Sequence, residues 1–284
     1  MILWIVYLAV ALVALVKGSD IFVRGAKQLG ASLGMSKFAI GVLIVGFGTS
    51  LPEFASSVAA VLDGASEIVV ANVVGSNITN ILLVIGVLAI VAGDVVITRD
   101  LLKTELPVFF IATSLFVATV FDGKVDRIEA MLLLGTFGSY IWYLLVDSRK
   151  EAAANAESGA IRPQLEIKSI GLIIAGIAAV LIGANYAVVM VVNIATELSV
   201  PLGLISIVAI ALGTSLPELF VSLQAIKDDE AELAVGNIFG SNAFNMLLVV
   251  GVPALISPLV VDEVVMTLGL KILMVASAIF FIIG

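Results

Sequence analysis

The chain has 284 residues, of which 61% are hydrophobic and 13% charged, with a formal net charge of −8 and a mean hydropathy of +1.23. Soluble domains are only about half apolar, so the expected solvent is lipid. With no Cys and no His, disulfides, thiolate or imidazole metal sites, cysteine nucleophiles and histidine bases are excluded; any bound metal must be held by oxygen, and an acidic chain without a long basic run offers nothing to nucleic acid.

Apolar runs long enough to cross a hydrocarbon core of about 30 Å recur along the chain. In a bilayer such runs must satisfy their own backbone and are therefore helical. Nine are predicted, at 2–29, 36–62, 67–92, 105–121, 127–146, 168–196, 201–226, 232–256 and 264–283. The first lacks a basic leader and a small-residue cleavage site, so it reads as a membrane helix and not as a signal peptide. Between the fifth and sixth lies a polar segment, 147–167, rich in Ala, Glu, Ser and Arg, which reads as a solvent-exposed linker.

The two halves repeat. An offset of 165 (213 − 48) places "GTSLPE" at Gly48–Glu53 on Gly213–Glu218, and "NVVGSNITNILLVIGV" from Asn72 on "NIFGSNAFNMLLVVGV" from Asn237. Between Gly48 and Ala89, 22 of 42 aligned pairs are identical. Five helices separate equivalent points, and five is odd, so the second copy is upside down in the membrane relative to the first. The expected fold is all-α and polytopic, with two inverted repeats of about five helices: residues 1–146, with the most similar stretch near 41–89, and 168–284, with its match near 206–254. A full second repeat would need a tenth helix, which these residues do not supply. Inverted repeats place substrate near the midplane, where they meet. The loops after helices 1, 3, 5 and 7 with their adjoining helix ends hold ten basic residues, Lys27, Lys37 and Lys227 among them, against Lys124 and Arg127 on the other side. The positive-inside rule then puts the N-terminus outside and the linker in the cytoplasm.

Glu53 and Glu218 fall well inside helices 2 and 7, where an unpaired carboxylate costs several kcal/mol. Lys17 and Lys271, the intramembrane cations, do not recur between the halves as the glutamates do, so a mobile cation or a proton is the economical partner. Pro52 and Pro217 each remove a backbone donor and are expected to interrupt their helices, freeing carbonyl oxygens. Thr49, Ser50 and Glu53 share a helix face, as do Thr214, Ser215 and Glu218. Asn72, Ser76 and Asn80 step by four along helix 3, and Asn237, Ser241 and Asn245 along helix 8. Pooled, these oxygens form the hard environment that Ca²⁺ takes with six to eight ligands, and Na⁺ accepts the same atoms. Other readings of the same residues are plainer. Ser50-x-x-Glu53 and Ser215-x-x-Glu218 also fit capping boxes, and Ser, Thr and Asn in membrane helices commonly tie helices together. Asp63, Glu67, Asp228 and Glu232 sit at helix ends and read as interfacial, and Asp20 is expected to be neutralised by Lys17.

These motifs resemble the cation/calcium antiporter superfamily, specifically its prokaryotic sodium/calcium exchanger branch. The resemblance rests on "GTSLPE" followed by "GSNITN" in the first half and by "GSNAFN" in the second, and it covers essentially the whole chain. It implies an antiporter and no enzyme, with transported Ca²⁺ and Na⁺, no cofactor, and function as a monomer in the bilayer. Carried over, Glu53 and Glu218 bind Ca²⁺ with the carbonyls of Thr49 and Thr214. Flanking Na⁺ sites use Ser50, Ser76, Ser215 and Ser241 with the carbonyls of Gly46 and Ala211, and Asn80 and Asn245 complete the centre. Helices 1 and 6 slide as a gate. Some prokaryotic exchangers carry Asp at the position of Asn245, and the family fold has ten helices. A Ca²⁺/H⁺ antiporter using the same glutamates and a K⁺-dependent exchanger are the alternatives; an intramembrane hydrolase lacks its nucleophile and base.

Overall fold

The computed structural model describes residues 2–93, 100–101, 105–157, 164–199 and 202–283, without side chains for 151–157, 202–212 and 283. All nine predicted helices are present. Helix 1 is Ile2–Leu33. Helix 2 is a broken span, Lys37–Thr49 and Leu51–Leu62, bent by 45°. Helix 3 is Glu67–Ala92, helix 4 Glu105–Val120, helix 5 Arg127–Glu157, helix 6 Ile167–Glu197, helix 7 Leu202–Lys227, helix 8 Ala231–Ile256 and helix 9 Val265–Ile282. Large apolar side chains such as Ile90, Ile111, Trp142 and Ile174 stand exposed on the outside of this bundle, the surface that lipid covers.

The loops confirm the inverted arrangement. The loop before helix 5 and the loop before helix 9 meet as a two-stranded antiparallel pair, Lys124–Val125 with Leu259–Val260, and Val260 N donates to Ser66 Oγ in the loop after helix 2 at 3.4 Å. All three loops follow even-numbered helices and so share one face. On the opposite face the end of helix 1 meets the start of helix 6, where Ser169 Oγ donates to Gln28 Oε1 at 3.1 Å.

Helices 1 and 6 pack on each other along small residues. A Cβ on Gly18 would lie 2.8 Å from Val180 N, and one on Gly183 would lie 2.9 Å from Leu15 N. The offset of 165 carries Gly18 to Gly183 and Leu15 to Val180, so this crossing sits on the pseudo-two-fold axis. Close backbone approach of this kind is how membrane helices associate when lipid offers no hydrophobic drive, and it makes the two helices one structural unit.

Four expectations are corrected. Helix 7 runs unbroken through Pro217, whereas helix 2 breaks at Ser50 and restarts with Pro52 in its first turn. Proline is at home in a first turn, where its missing N–H would have no partner anyway, and inside a continuous helix it can be absorbed as a bend. Ser50 makes no side-chain cap, so that capping box is not formed. Asp20 pairs with Arg24, one turn on, at 2.8 Å in place of Lys17, which is exposed. Helix 5 extends past residue 146 to Glu157, because Ala, Glu, Lys and Arg are strong helix formers even where hydropathy has fallen.

Candidate cation-binding site

The break in helix 2 has a direct local consequence. At Ser50 the backbone leaves the helical region, with φ −87° and ψ 5°, and the Ser50 hydroxyl donates across to Glu218 Oε1 at 3.4 Å. The serine that could have capped its own helix instead links the two motif helices, one from each repeat.

Glu53 is 1% exposed and Glu218 fully buried. Both oxygens of Glu53 and Oε2 of Glu218 are buried without a hydrogen-bond partner, as are Ser215 Oγ, Asn80 Oδ1 and both amide atoms of Asn245. Among the described residues no basic side chain forms an ion pair with either glutamate. Ionised carboxylates cannot stay this way in lipid. A site this rich in unpartnered oxygen, lacking a fixed counter-charge, suits a cation.

The surrounding hydroxyls form two flanks related by the offset of 165. On one, Thr49 Oγ1 and Ser241 Oγ lie 3.2 Å apart and both reach Gly46 O, at 3.3 and 3.4 Å. On the other, Ser76 Oγ donates to Thr214 Oγ1 at 3.1 Å. Thus Ser50 reaches Glu218, Thr49 meets Ser241 and Ser76 meets Thr214 across the two repeats, while Ser215, Asn80 and Asn245 are buried with unpartnered atoms. The backbone of Ala211 lies in helix 7 one turn before Ser215, and its side chain lies outside the described residues. The carbonyl of Gly46 is not free: besides the two hydroxyls it accepts Ser50 N at 3.1 Å.

Two asparagines have roles the sequence did not single out. Asn237 was pooled with the oxygen donors, yet its amide is fully used within the protein. Its Nδ2 donates to Ser222 Oγ at 2.8 Å and to Glu218 O at 3.3 Å, while the Thr49 and Ser241 hydroxyls, each with one proton to share between Oδ1 and Gly46 O, lie 3.2 and 3.5 Å from Oδ1. It ties helices 2, 7 and 8 together around the carboxylate. Asn242 Oδ1 accepts from Asn80 Nδ2 at 3.4 Å, a link between the repeats. Its recurrence as Asn77, inside "GSN", was the available signal.

The same contacts are not made in the other half. Asn72, the counterpart of Asn237, is half-buried and reaches only Ser56 Oγ at 3.5 Å, while buried Ser57, counterpart of Ser222, has no partner. Backbone packing differs in the same sense. A Cβ on Gly240 of helix 8 would lie 2.7 Å from Val42 Cα of helix 2, whereas one on Gly75 of helix 3 would meet nothing within 4 Å among the described residues. Helices 2 and 8 are thus in backbone contact on the linker face, and Gly75 of helix 3 makes no such contact among the described residues.

Comparison with known proteins places this geometry. The family described as sodium/calcium exchanger protein matches residues 3–146 and 168–284. The inner membrane protein YrbG of Escherichia coli is 34% identical over 99% of this chain and 88% of its own length. The sodium/calcium exchanger MaX1 of Methanosarcina acetivorans is 33% identical over 97% of this chain and 89% of its own length. A solved structure of the sodium-calcium exchanger NCX_Mj, soaked with zero Na⁺ and Ca²⁺, superposes with a TM-score of 0.81 at 29% identity, covering 99% of this chain and 90% of that one.

Proposed function

The chain belongs to the sodium/calcium exchanger family and is a membrane-embedded cation/Ca²⁺ antiporter, and on that premise we propose that it exchanges Ca²⁺ for Na⁺ by alternating access at Glu53 and Glu218. The observation that carries this is the pair of buried carboxylates, with three of their four oxygens unpartnered, inside a two-fold ring of hydroxyl and amide oxygens.

The mechanism follows from charge. Two ionised carboxylates in lipid are too costly to move between states uncompensated. One Ca²⁺ neutralises both, and Na⁺ ions bound together do the same. Ca²⁺ takes Glu53 and Glu218 with the carbonyls of Thr49 and Thr214. Na⁺ uses the two flanks, Ser50, Ser241 and Gly46 O on one, Ser215, Ser76 and Ala211 O on the other, with Asn80 and Asn245 at the centre. Because the loads compete for the same oxygens and the empty site is disfavoured in transit, exchange results and leak does not. The unit of helices 1 and 6 slides against the remaining bundle to open one face at a time.

In this reading the repeats span 1–146 and 168–284 with 147–167 joining them in the cytoplasm, the N-terminus lies outside, and one chain suffices for transport. The test is ⁴⁵Ca²⁺ uptake into proteoliposomes preloaded with Na⁺, beside vesicles carrying only a pH gradient, with Glu53→Gln as control. Uptake that follows Na⁺ and disappears in the variant is expected. Uptake that follows pH alone would transfer the assignment to a Ca²⁺/H⁺ antiporter, uptake that needs K⁺ as well to a K⁺-dependent exchanger, and no uptake by folded protein would overturn all three.

A further inference from the structure

Glu230 is a buried carboxylate that the ion site does not use. It lies in the turn between helices 7 and 8, on the linker face, and binds two lysines: Oε1 is 2.7 Å from Lys27 Nζ and Oε2 is 2.8 Å from Lys37 Nζ. The Glu230 side chain is 11% exposed, those of Lys27 and Lys37 36% and 59%.

The two ion pairs are mechanically different. Lys37 begins helix 2 and Glu230 precedes helix 8, and those helices touch backbone to backbone where Val42 meets Gly240, so the Lys37 pair lies within one body. Lys27 is on helix 1, which crosses helix 6 backbone to backbone at Gly18, Gly25, Gly176 and Gly183 and touches helix 2 near its end, where Gly30 meets the Ile40 side chain. The Lys27 pair therefore spans the boundary between the helix 1 and 6 unit and the bundle that holds the ions.

The repeat supplies a comparison. An offset of 165 carries Lys27 to Val192, Lys37 to Leu202 and Glu230 to Ala65. None can ionise, so the matching positions on the opposite face carry no equivalent of this cluster. We propose that Lys27 and Glu230 form a one-sided ionic latch that holds the linker-face entrance shut and biases the protein toward the state open on the other face. The proposal rests on the sliding of helices 1 and 6 in the exchanger reading. When Lys27 leaves, Lys37 stays on the carboxylate and Lys27 enters water, so neither charge is stranded. The contact can thus open within the transport cycle.

The chain has no native cysteine, so spin labels can be placed at Val13→Cys on helix 1 and Leu62→Cys at the far end of helix 2, both exposed, in the full chain in proteoliposomes. The distance between them reports sliding without requiring ion flux. Lys27→Met is expected to raise the minor distance population about threefold or more and to lower half-saturating Ca²⁺ at the linker face by the same factor. Lys37→Met, acting inside one body, is expected to leave the distance distribution in place. The pair Ala65→Glu with Val192→Lys, which builds a latch on the other face, should shift the population toward the linker-open state. An unchanged distribution in Lys27→Met, or equal shifts in Lys27→Met and Lys37→Met, would overturn the latch. Absence of Ca²⁺ exchange by the parent chain would instead overturn the exchanger reading, and the label distances would still decide the latch.

Discussion

Two crevices flank the glutamates, built from nearly the same residues and packed in opposite ways. Between helices 2 and 8, Gly240 lies against Val42 and Asn237 makes its contacts to Ser222, Glu218 O, Thr49 and Ser241. Between helices 3 and 7, Gly75 meets no described residue, Asn72 reaches Ser56 at 3.5 Å and Ser57 is buried without a partner. A buried hydroxyl without a partner costs about 1–3 kcal/mol, a cost that falls away if Asn72 turns onto Ser57 as Asn237 turns onto Ser222. The difference teaches that one repeated motif supports two different packings, one on each side of the glutamates.

The glutamates belong to both crevices, so replacing either should abolish the comparison altogether. Glu53→Gln and Glu218→Gln each remove half the fixed charge facing a divalent ion, and Ca²⁺ affinity in equilibrium binding should fall roughly 100-fold or more. Equal losses are expected; a much smaller loss at one position would mean that the two carboxylates do not share one ion. At the next level the asparagines should separate the crevices. Asn237→Leu removes a fully satisfied buried amide and strands Ser222, and should destabilise the protein by about 2–4 kcal/mol in denaturant unfolding. Asn72→Leu should cost less than about 1 kcal/mol in the same assay, and similar costs for both would contradict the asymmetry.

Glycine substitutions sharpen the contrast between a state and a transition. Gly240→Ala puts a methyl group where backbone already sits, and overpacking of this kind costs about 1–3 kcal/mol. Gly75→Ala should leave stability nearly unchanged, because no described residue meets that position in this state. If helices 3 and 7 close in the other state as helices 2 and 8 do here, that methyl blocks the alternative, and Gly75→Ala should slow exchange while its unfolding midpoint stays put. Normal turnover in Gly75→Ala would show that the first crevice never closes to the same degree.

Much of this was legible beforehand, for local reasons. Apolar length located the helices, and parity with the 165-residue offset showed the inversion. Buried charge without a partner singled out Glu53 and Glu218. What stayed hidden depends on which of two packings is occupied. Identical "GTSLPE" motifs cannot say that Pro52 starts a helix while Pro217 sits within one, since the same residues suit either geometry. The role of Asn237 was equally closed to sequence, because an amide can ligate an ion or tie helices, and only the positions of Ser222, Thr49 and Ser241 decide between them. Asp20 has cations at three and four residues' distance, Lys17 and Arg24, and spacing alone does not choose Arg24.

The smallest effect concerns the linker face. Burial pushes the Glu230 carboxyl up, but hydrogen bonds and charge from Lys27 and Lys37 outweigh it and hold the group below the usual carboxylate range. A depressed folded-state value means that the unfolded chain binds the proton more readily. The ion pairs therefore contribute stability above the ordinary glutamate range, about pH 4.3, and lose it as pH falls through the lower folded value. Much of the cluster is open to solvent, so the contribution should stay under about 1 kcal/mol after screening. As pH falls from neutral to well below about 4.3, the parent chain should lose slightly more stability than Glu230→Gln. Ala65→Glu alone, at the matching position of the opposite face, where Val192 and Leu202 offer no cation, should not reproduce that extra loss.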